Sequence, residues 1–192
     1  MTLILAYIAI VAVCVAASVT DLRTGRIPNK LTASAMLAGL VFWLIAGLVA
    51  GRGLVSAEDD PQISGTLTAS FLGLLSGLIP FAILVMLGGL GGGDMKLMGT
   101  IGAWGASWRI VLDTTIYALL AGAVIAIVLM VRTGRVRLTM ARLIGIAASG
   151  GKAVTPDDDT SAPKVPFAVA ALAGIAIAGA EHMLRLWPPL LG

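Results

Sequence analysis

The feature that most constrains the fold of this chain is a set of uncharged apolar runs, each about as long as a bilayer is thick. Residues 61–93 carry no charged side chain over 33 positions, and residues 2–20 carry none over 19. A helix of about 20 mainly apolar residues crosses the hydrocarbon core of a membrane. Only 12% of the 192 residues are charged, about half of the roughly 25% typical of soluble domains. The chain is therefore predicted to be an integral membrane protein.

The runs predict an all-α fold, a polytopic bundle of about six transmembrane helices in one domain that spans residues 1–192. Within it, residues 132–164 are predicted to form a basic and polar cytoplasmic loop. The first run is interpreted as an uncleaved helix rather than a signal peptide, because further apolar runs follow it. The predicted spans are residues 2–20, 31–50, 66–90, 94–110, 109–131 and 165–187.

Two local features of these spans bear on packing. The fourth helix is expected to be short, since residues 94–110 give only about 25 Å at 1.5 Å per residue, with Trp104 and Trp108 at its far interface. Small residues recur at spacings that let helices approach closely in lipid. The pairs are Gly73 with Gly77 and Gly174 with Ala178.

The distribution of basic residues predicts the orientation of the bundle. If the first loop is cytoplasmic, ten Lys and Arg residues lie on the inner side and three, Arg52, Arg109 and Arg185, on the outer side. Cytoplasmic loops of membrane proteins are enriched in Lys and Arg, so both termini are expected outside the cytoplasm. The net charge of +3 follows from this asymmetry. It favours contact with anionic membrane lipids and gives no indication of nucleic acid binding.

Most of the ten acidic residues have an ordinary explanation. Six lie in the two polar loops and are expected to be solvated. Asp113 follows Arg109 by four residues, the spacing of an ion pair on one helix. Glu181 is expected to reach the outer interface beside His182 and to pair locally with Arg185. The single histidine and the lone, apolar-flanked Cys14 predict no metal site, and no cofactor is expected.

Asp21 and Asp94 are different because the topology puts both carboxylates at the cytoplasmic border. Asp21 ends the first helix and Asp94 begins the fourth. Two carboxylates that face each other share a proton, since like charges at close range cannot both ionise. One then activates water as a base while the other acts as an acid. The alternative for each residue is a capping role, in the turn TDLRTG or at the start of the fourth helix.

Two motifs around these aspartates resemble those of the type IV prepilin peptidases, a family of intramembrane GxGD aspartyl peptidases. GGGDMK, residues 91–96, matches the pattern G-x-G-D-x-K. TDLRTGRIPN, residues 20–29, matches the family's other signature, an aspartate at a helix end followed by I-P-N. KVPF, residues 164–167, resembles the block before the family's final helix. The two aspartate motifs together in a six-helix chain are specific.

The resemblance implies that Asp21 and Asp94 are the catalytic pair of an aspartic endopeptidase. It implies that Gly91 and Gly93 are the fixed glycines of the motif and that Pro28, Asn29 and Lys96 have supporting roles. The glycines are expected to leave room for a peptide backbone. For Lys96, a lysine that only reaches the interface is an equal alternative.

The resemblance also implies a substrate and a location. The expected partner is the helix of a prepilin or pseudopilin, whose short basic leader is cut at the cytoplasmic face of the bacterial inner membrane. Members with an N-methyltransferase region carry a cysteine tetrad, whereas this chain has one cysteine. The expectation is therefore the short form that serves Flp/Tad-type pili, without methylation. PFAVAA, residues 166–171, departs from the family's P-F-G-P, which bears on substrate fit. No oligomeric state is predicted.

Two functions from other classes remain as alternatives at this point. The first is a proton-coupled small membrane transporter, in which Asp21 and Asp94 carry protons. The second is a non-catalytic assembly protein of a secretion system, in which both aspartates are caps. The position of the pair at a membrane border, away from the midplane, disfavours transport.

Overall fold

The computed structural model describes residues 2–50, 66–87, 90–134, 136 and 166–184, and side chains in the last range up to Glu181. Two polar segments lie outside these residues: 51–65, between the second and third predicted spans, and most of the predicted loop 132–164, including Lys164. The side chain of His182 also lies outside them. Within the described ranges the chain forms six α-helices. They are α1 (Thr2–Thr24), α2 (Asn29–Val49), α3 (Leu67–Met86), α4 (Gly92–Gly105), α5 (Trp108–Arg132) and α6 (Phe167–Leu184).

These helices confirm the predicted all-α, polytopic membrane fold. Four of them, α1, α2, α3 and α5, are long and apolar enough to cross a membrane, and α6 contributes the shorter apolar stretch Phe167–Glu181. The fourth helix is short, as predicted. Its 14 residues extend over about 21 Å, less than the roughly 30 Å of a hydrocarbon core. The number of helices that cross the bilayer therefore stays a prediction.

Two boundaries differ from the predicted spans for local reasons. Helix α1 continues through Asp21 to Thr24 and ends at Gly25, whose φ of +64° is a left-handed conformation that costs glycine little. Helix α4 ends at Ala106, which takes a left-handed φ of 45°, and α5 begins two residues later. The break between the fourth and fifth helices therefore comes four residues before the predicted end at residue 110. Helix α3 continues through Pro80.

Helix α4 lies in the middle of the bundle and packs against all five other helices. Its side chains Leu97, Met98 and Ile101 are fully buried. Helix α3 approaches α4 so closely that a Cβ at Gly73 or Gly77 would overlap carbonyl oxygens of α4. The predicted close packing at Gly73 and Gly77 is confirmed, and it leaves no space for a larger residue at either position.

Trp104 and Trp43 join α2 to α4 through their indole N–H groups. The Trp104 indole N–H donates to the carbonyl of Ala35 at 2.8 Å, and the Trp43 indole donates to the carbonyl of Trp104, also at 2.8 Å. A tryptophan N–H in an apolar setting needs an acceptor. These two bonds supply one for each indole, and both join α2 to α4. Trp104 therefore lies half-buried between α2 and α4 at the far end of the fourth helix, and its place at the membrane interface stays a prediction. Trp108 is 41% exposed.

The contacts between neighbouring helices bring one set of helix ends together. A Cβ at Gly174 of α6 would lie 2.6 Å from the carbonyl oxygen of Thr114 in α5, which confirms the predicted close packing there. The Ser18 hydroxyl of α1 donates to the carbonyl of Ala168 at the start of α6, at 2.9 Å. The ends of α1, α3 and α5 and the starts of α2, α4 and α6 consequently lie at the same end of the bundle.

Candidate active site

Asp21 lies in the last turn of α1, and its side chain points towards the start of α6. Its main-chain carbonyl accepts the N–H of Gly25 at 2.8 Å, which closes the helix. Its carboxylate oxygen Oδ2 accepts the N–H of Ala168 at 3.4 Å. Ala168 is in the first turn of α6, where backbone N–H groups have no partner within the helix. The Asp21 side chain thus contacts a distant helix start, and the alternative of a cap within TDLRTG is not what the structure shows.

Asp94 lies in the first turn of α4. Its Oδ2 accepts the N–H of Gly91 at 3.1 Å, while the carbonyl of Gly91 accepts the N–H of Asp94 at 3.1 Å. This reciprocal pair of bonds caps α4, and the positive end of the helix dipole favours a carboxylate there. The capping role considered for Asp94 is therefore present. It occupies one carboxylate oxygen and leaves Oδ1 without a hydrogen bond to any described residue.

The two carboxylates lie at the same end of the bundle, named here the Asp21–Asp94 end, because α1 ends where α4 and α6 begin. Burial raises the pKa of Asp94 above its ordinary value, the Gly91 N–H lowers it, and the negative charge of Asp21 raises it again, for a net rise. Both residues are half-buried. Two half-buried carboxyls at one end of the bundle supply the pair of groups that acid–base chemistry needs.

The two fixed glycines of G-x-G-D have specific neighbours. A Cβ at Gly91 would lie 3.2 Å from Oδ2 of Asp94, and a Cβ at Gly93 would lie 3.1 Å from the Cβ of Ile27. At Gly92, between them, a Cβ would meet nothing within 4 Å. A Cβ at Gly91 or Gly93 would therefore crowd a neighbouring side chain, whereas a Cβ at Gly92 would not.

The residues after Asp21 pack against this first turn of α4. Ile27 is buried, and Pro28 is the N-cap of α2 with an extended backbone, ψ 128°. The next residue, Asn29, begins α2, and its Oδ1 accepts a hydrogen bond from Nζ of Lys96 at 2.8 Å. The structure thus assembles all seven of the predicted site residues, since Asp21, Pro28, Asn29, Gly91, Gly93, Asp94 and Lys96 lie at one end of the bundle.

Two residues of this site were not predicted from the sequence. The N–H of Ala168 is a backbone group, so its residue type carries no signal, although Pro166 in the predicted block KVPF lies directly before α6. Ile27 is the partner of Gly93, and its position directly before P-N was the available signal. The contacts of Ala168 with Asp21 and of Ile27 with Gly93 join residues that are distant in sequence. They are seen only once the helices are packed together.

Asp113 and Glu181 lie towards the opposite end of the bundle, and both side chains are buried. Asp113 is 0% exposed and Glu181 is 5% exposed. Oε2 of Glu181 accepts a hydrogen bond from the Tyr117 hydroxyl of α5 at 2.8 Å. The expectation that Glu181 reaches the membrane surface is wrong, because its carboxylate is held between α5 and α6. In the described part of the chain, no three His, Cys, Asp or Glu residues are grouped to hold a metal ion.

Comparison with known proteins agrees with these motifs. The model of the type IV leader peptidase family matches residues 8–127, a range that contains both Asp21 and Asp94. The chain is similar to proteins named prepilin leader peptidase/N-methyltransferase in Burkholderia pseudomallei strains 1026b and K96243, with 30% identity to each over 151 residues. These matches cover 79% of this chain and 45% of each relative, so the chain spans less than half the length of the curated relatives that it matches. No solved structure matches the chain.

Proposed function

The chain belongs to the type IV leader peptidase family, and from this premise we propose that it is a membrane-embedded aspartic endopeptidase. The proposed substrates are Flp-like prepilins or pseudopilins. The enzyme cuts the short basic leader from them at the cytoplasmic face of the bacterial inner membrane. The observation that carries the proposal is that the packing of α1, α4 and α6 gathers Asp21 and Asp94, with the residues of both motifs, at one end of the bundle.

In the proposed reaction the two carboxyls divide the work of acid and base. Ionised Asp21 takes a proton from water as the water oxygen attacks the scissile carbonyl carbon, and protonated Asp94 gives a proton to the carbonyl oxygen. The tetrahedral diol then collapses, the C–N bond breaks, and the leaving nitrogen takes the proton held by Asp21. A hydroxyl proton of the diol returns to Asp94.

This division of roles follows from the surroundings of each residue. Burial raises the pKa of Asp94, the Gly91 N–H lowers it and the charge of Asp21 raises it, for a net rise, and we therefore assign Asp94 the role of the acid. Asp21, which accepts an N–H from the first turn of α6, is then assigned the role of the base. The protein supplies both proton-transfer groups from its own side chains.

The proposed cytoplasmic location rests on charge. Six basic residues fall in the described part of the chain, and five of them, Arg23, Arg26, Lys30, Lys96 and Arg132, lie at the Asp21–Asp94 end. Arg109 lies at the other end. Positive residues concentrate on the cytoplasmic side of membrane proteins, so this end is assigned to the cytoplasm. A topology reporter fused at Lys30 should give a cytoplasmic signal, and a periplasmic signal would invert the assignment.

Processing in cells tests the activity itself. The chain is co-expressed with a candidate Flp-type prepilin, and the size of the pilin is followed on a gel. We expect the wild type to shorten the prepilin, and Asp21→Asn and Asp94→Asn each to leave it at full length while the protein accumulates normally in the membrane. Intact processing by both variants would refute the proposed mechanism and favour the capping role.

A further inference from the structure

Lys96 and Asn29 make a side-chain contact to which the proposed reaction assigns no role. Nζ of Lys96 donates to Oδ1 of Asn29 at 2.8 Å, across 67 residues of sequence. Lys96 is in the second turn of α4 and half-buried, while Asn29 is exposed at the start of α2. The bond therefore joins the beginnings of two helices, one of which carries Asp94.

Lys96 is not placed to act on Asp94 by charge. Residues two apart on a helix do not face each other, so the side chains of Asp94 and Lys96 point in different directions. The influences on the pKa of Asp94 are burial, the Gly91 N–H and Asp21, and Lys96 is not one of them. A role for Lys96 must then pass through what its ammonium group touches, which is Asn29.

A second contact supports the same segment. Ile27 packs against Gly93, where an added Cβ would lie 3.1 Å from the Cβ of Ile27. The segment that holds Ile27 and Asn29 follows Asp21 after a few residues, with the turn at Gly25 between them. A shift of this segment away from α4 would therefore move the end of α1, and Asp21 with it, away from Asp94.

We propose that Lys96 and Asn29 are positioning residues, which hold the turn between α1 and α2 against the start of α4 and so set the separation of the Asp21 and Asp94 carboxylates. This inference rests on the proposed function, since it concerns the geometry of the proposed catalytic pair. Neither residue touches the reacting atoms.

Cleavage kinetics of the full chain in lipid nanodiscs, with a synthetic prepilin, test this role. Lys96→Met and Asn29→Ala should each lower kcat about tenfold, because small displacements of reacting groups have large effects on rate. If the two side chains act as a unit, the double variant should be no slower than the slower single one. Lys96→Arg, which keeps a donor for Asn29, should retain most of the rate.

The pH profile separates positioning from a direct effect of charge. When the carboxylates move apart, their mutual repulsion weakens, so the alkaline limb of kcat in Lys96→Met should move to lower pH. If the ammonium acted on the pair by charge, its loss would raise the pKa of a carboxyl and move the limb to higher pH. Lys30→Met is the matched control. It removes a neighbouring exposed lysine whose ammonium group makes no hydrogen bond or ion pair to another described residue, and it should leave rate and profile unchanged.

The outcomes distinguish this inference from the proposed function. Absence of cleavage by the wild type would count against the function. With wild-type cleavage present and lost in Asp94→Asn, three results would overturn the positioning role alone: a normal rate in Lys96→Met, additive losses in the double variant, or a shift of the alkaline limb to higher pH. If Lys96→Met fails to accumulate, Asn29→Ala at the full wild-type rate and profile would overturn it equally.

Discussion

The two ends of this bundle each hold two acidic residues, and the two pairs have opposite surroundings. Asp21 and Asp94 are half-buried, and each accepts one backbone N–H from the start of a helix. Asp113 and Glu181 are almost completely buried, and Glu181 is bonded to the hydroxyl of Tyr117. Deep burial therefore does not identify the candidate active site of this protein. The candidate active site consists instead of two half-buried carboxylates at one end of the bundle.

The difference fits the role proposed for each pair. Under the proposed function, the catalytic carboxylates have to be reached by water and a peptide, and half-buried carboxylates at helix ends meet that need. A carboxylate between two helices in an apolar setting instead stabilises their association through its hydrogen bond. We therefore expect substitutions at the Asp21–Asp94 end to change activity at constant stability, and substitutions at the other end to do the reverse.

The largest expected effect separates Asp94 from Asp113. Asp94→Asn should lower the cleavage rate by at least about 100-fold, since it removes an acid–base group, without a change in unfolding temperature. Asp113→Asn should keep the rate per folded molecule. Rates and thermal unfolding of both purified variants check this, and abolished cleavage in a folded Asp113→Asn protein would erase the distinction between the two ends.

A smaller effect is expected from the glycines of the motif. Gly93→Ala should lower cleavage about tenfold, because the new methyl group presses on Ile27 and displaces the segment beside Asp21. Gly92→Ala is the matched control, since its methyl group meets nothing within 4 Å. Equal rates for the two variants, measured with the same prepilin, would show that close packing at Gly93 is unimportant for the site.

The opposite end should respond through stability. Tyr117→Phe removes the hydroxyl that donates to Glu181 and should lower the free energy of unfolding by about 1 to 2 kcal/mol, with the cleavage rate retained. Tyr7→Phe is the comparison, because the Tyr7 hydroxyl makes only long contacts, both of 3.4 Å, to carbonyls of α6. A loss in Tyr7→Phe as large as that in Tyr117→Phe would contradict the special importance of the α5–α6 bond.

The smallest effect concerns the shape of the pH profile. Burial and the charge of Asp21 raise the pKa of Asp94, and the proposed acid must be protonated to act. Activity should therefore be lost as pH rises through the raised pKa, with an alkaline limb above the range of an exposed aspartate. The acid and alkaline limbs of the pH–rate profile report on the two carboxyls as a pair rather than on single residues. A profile of kcat/KM against pH whose alkaline limb falls at or below that range would contradict the assignment of Asp94 as the acid.

Much of the fold and of the site was predictable because the signals were local. Apolar runs of bilayer length predicted the long helices, and Gly73, Gly77 and Gly174 predicted where helices approach closely. The aspartate motifs predicted which residues gather at one end, and the alternation of helices then brought their segments together.

The remaining features depend on long-range packing, which residue types alone do not reveal. Whether Glu181 reaches a surface depends on the face that α6 turns to α5. Likewise, the environment of Trp104 depends on its acceptor, the Ala35 carbonyl in α2. The neighbours of the fixed glycines, Asp94 at Gly91 and Ile27 at Gly93, also follow from packing, and the expected room for a substrate stays a prediction.

The most direct test of the central claim, that Asp21 and Asp94 act as one catalytic pair, is the cleavage rate of the double variant. Purified wild type, Asp21→Asn, Asp94→Asn and the double variant are compared with one prepilin in nanodiscs. Residues that act as a unit give strongly non-additive effects, so each single variant should lose nearly all activity and the double variant should lose no more. Independent, multiplying losses, or a single variant that cleaves at the wild-type rate, would contradict the account.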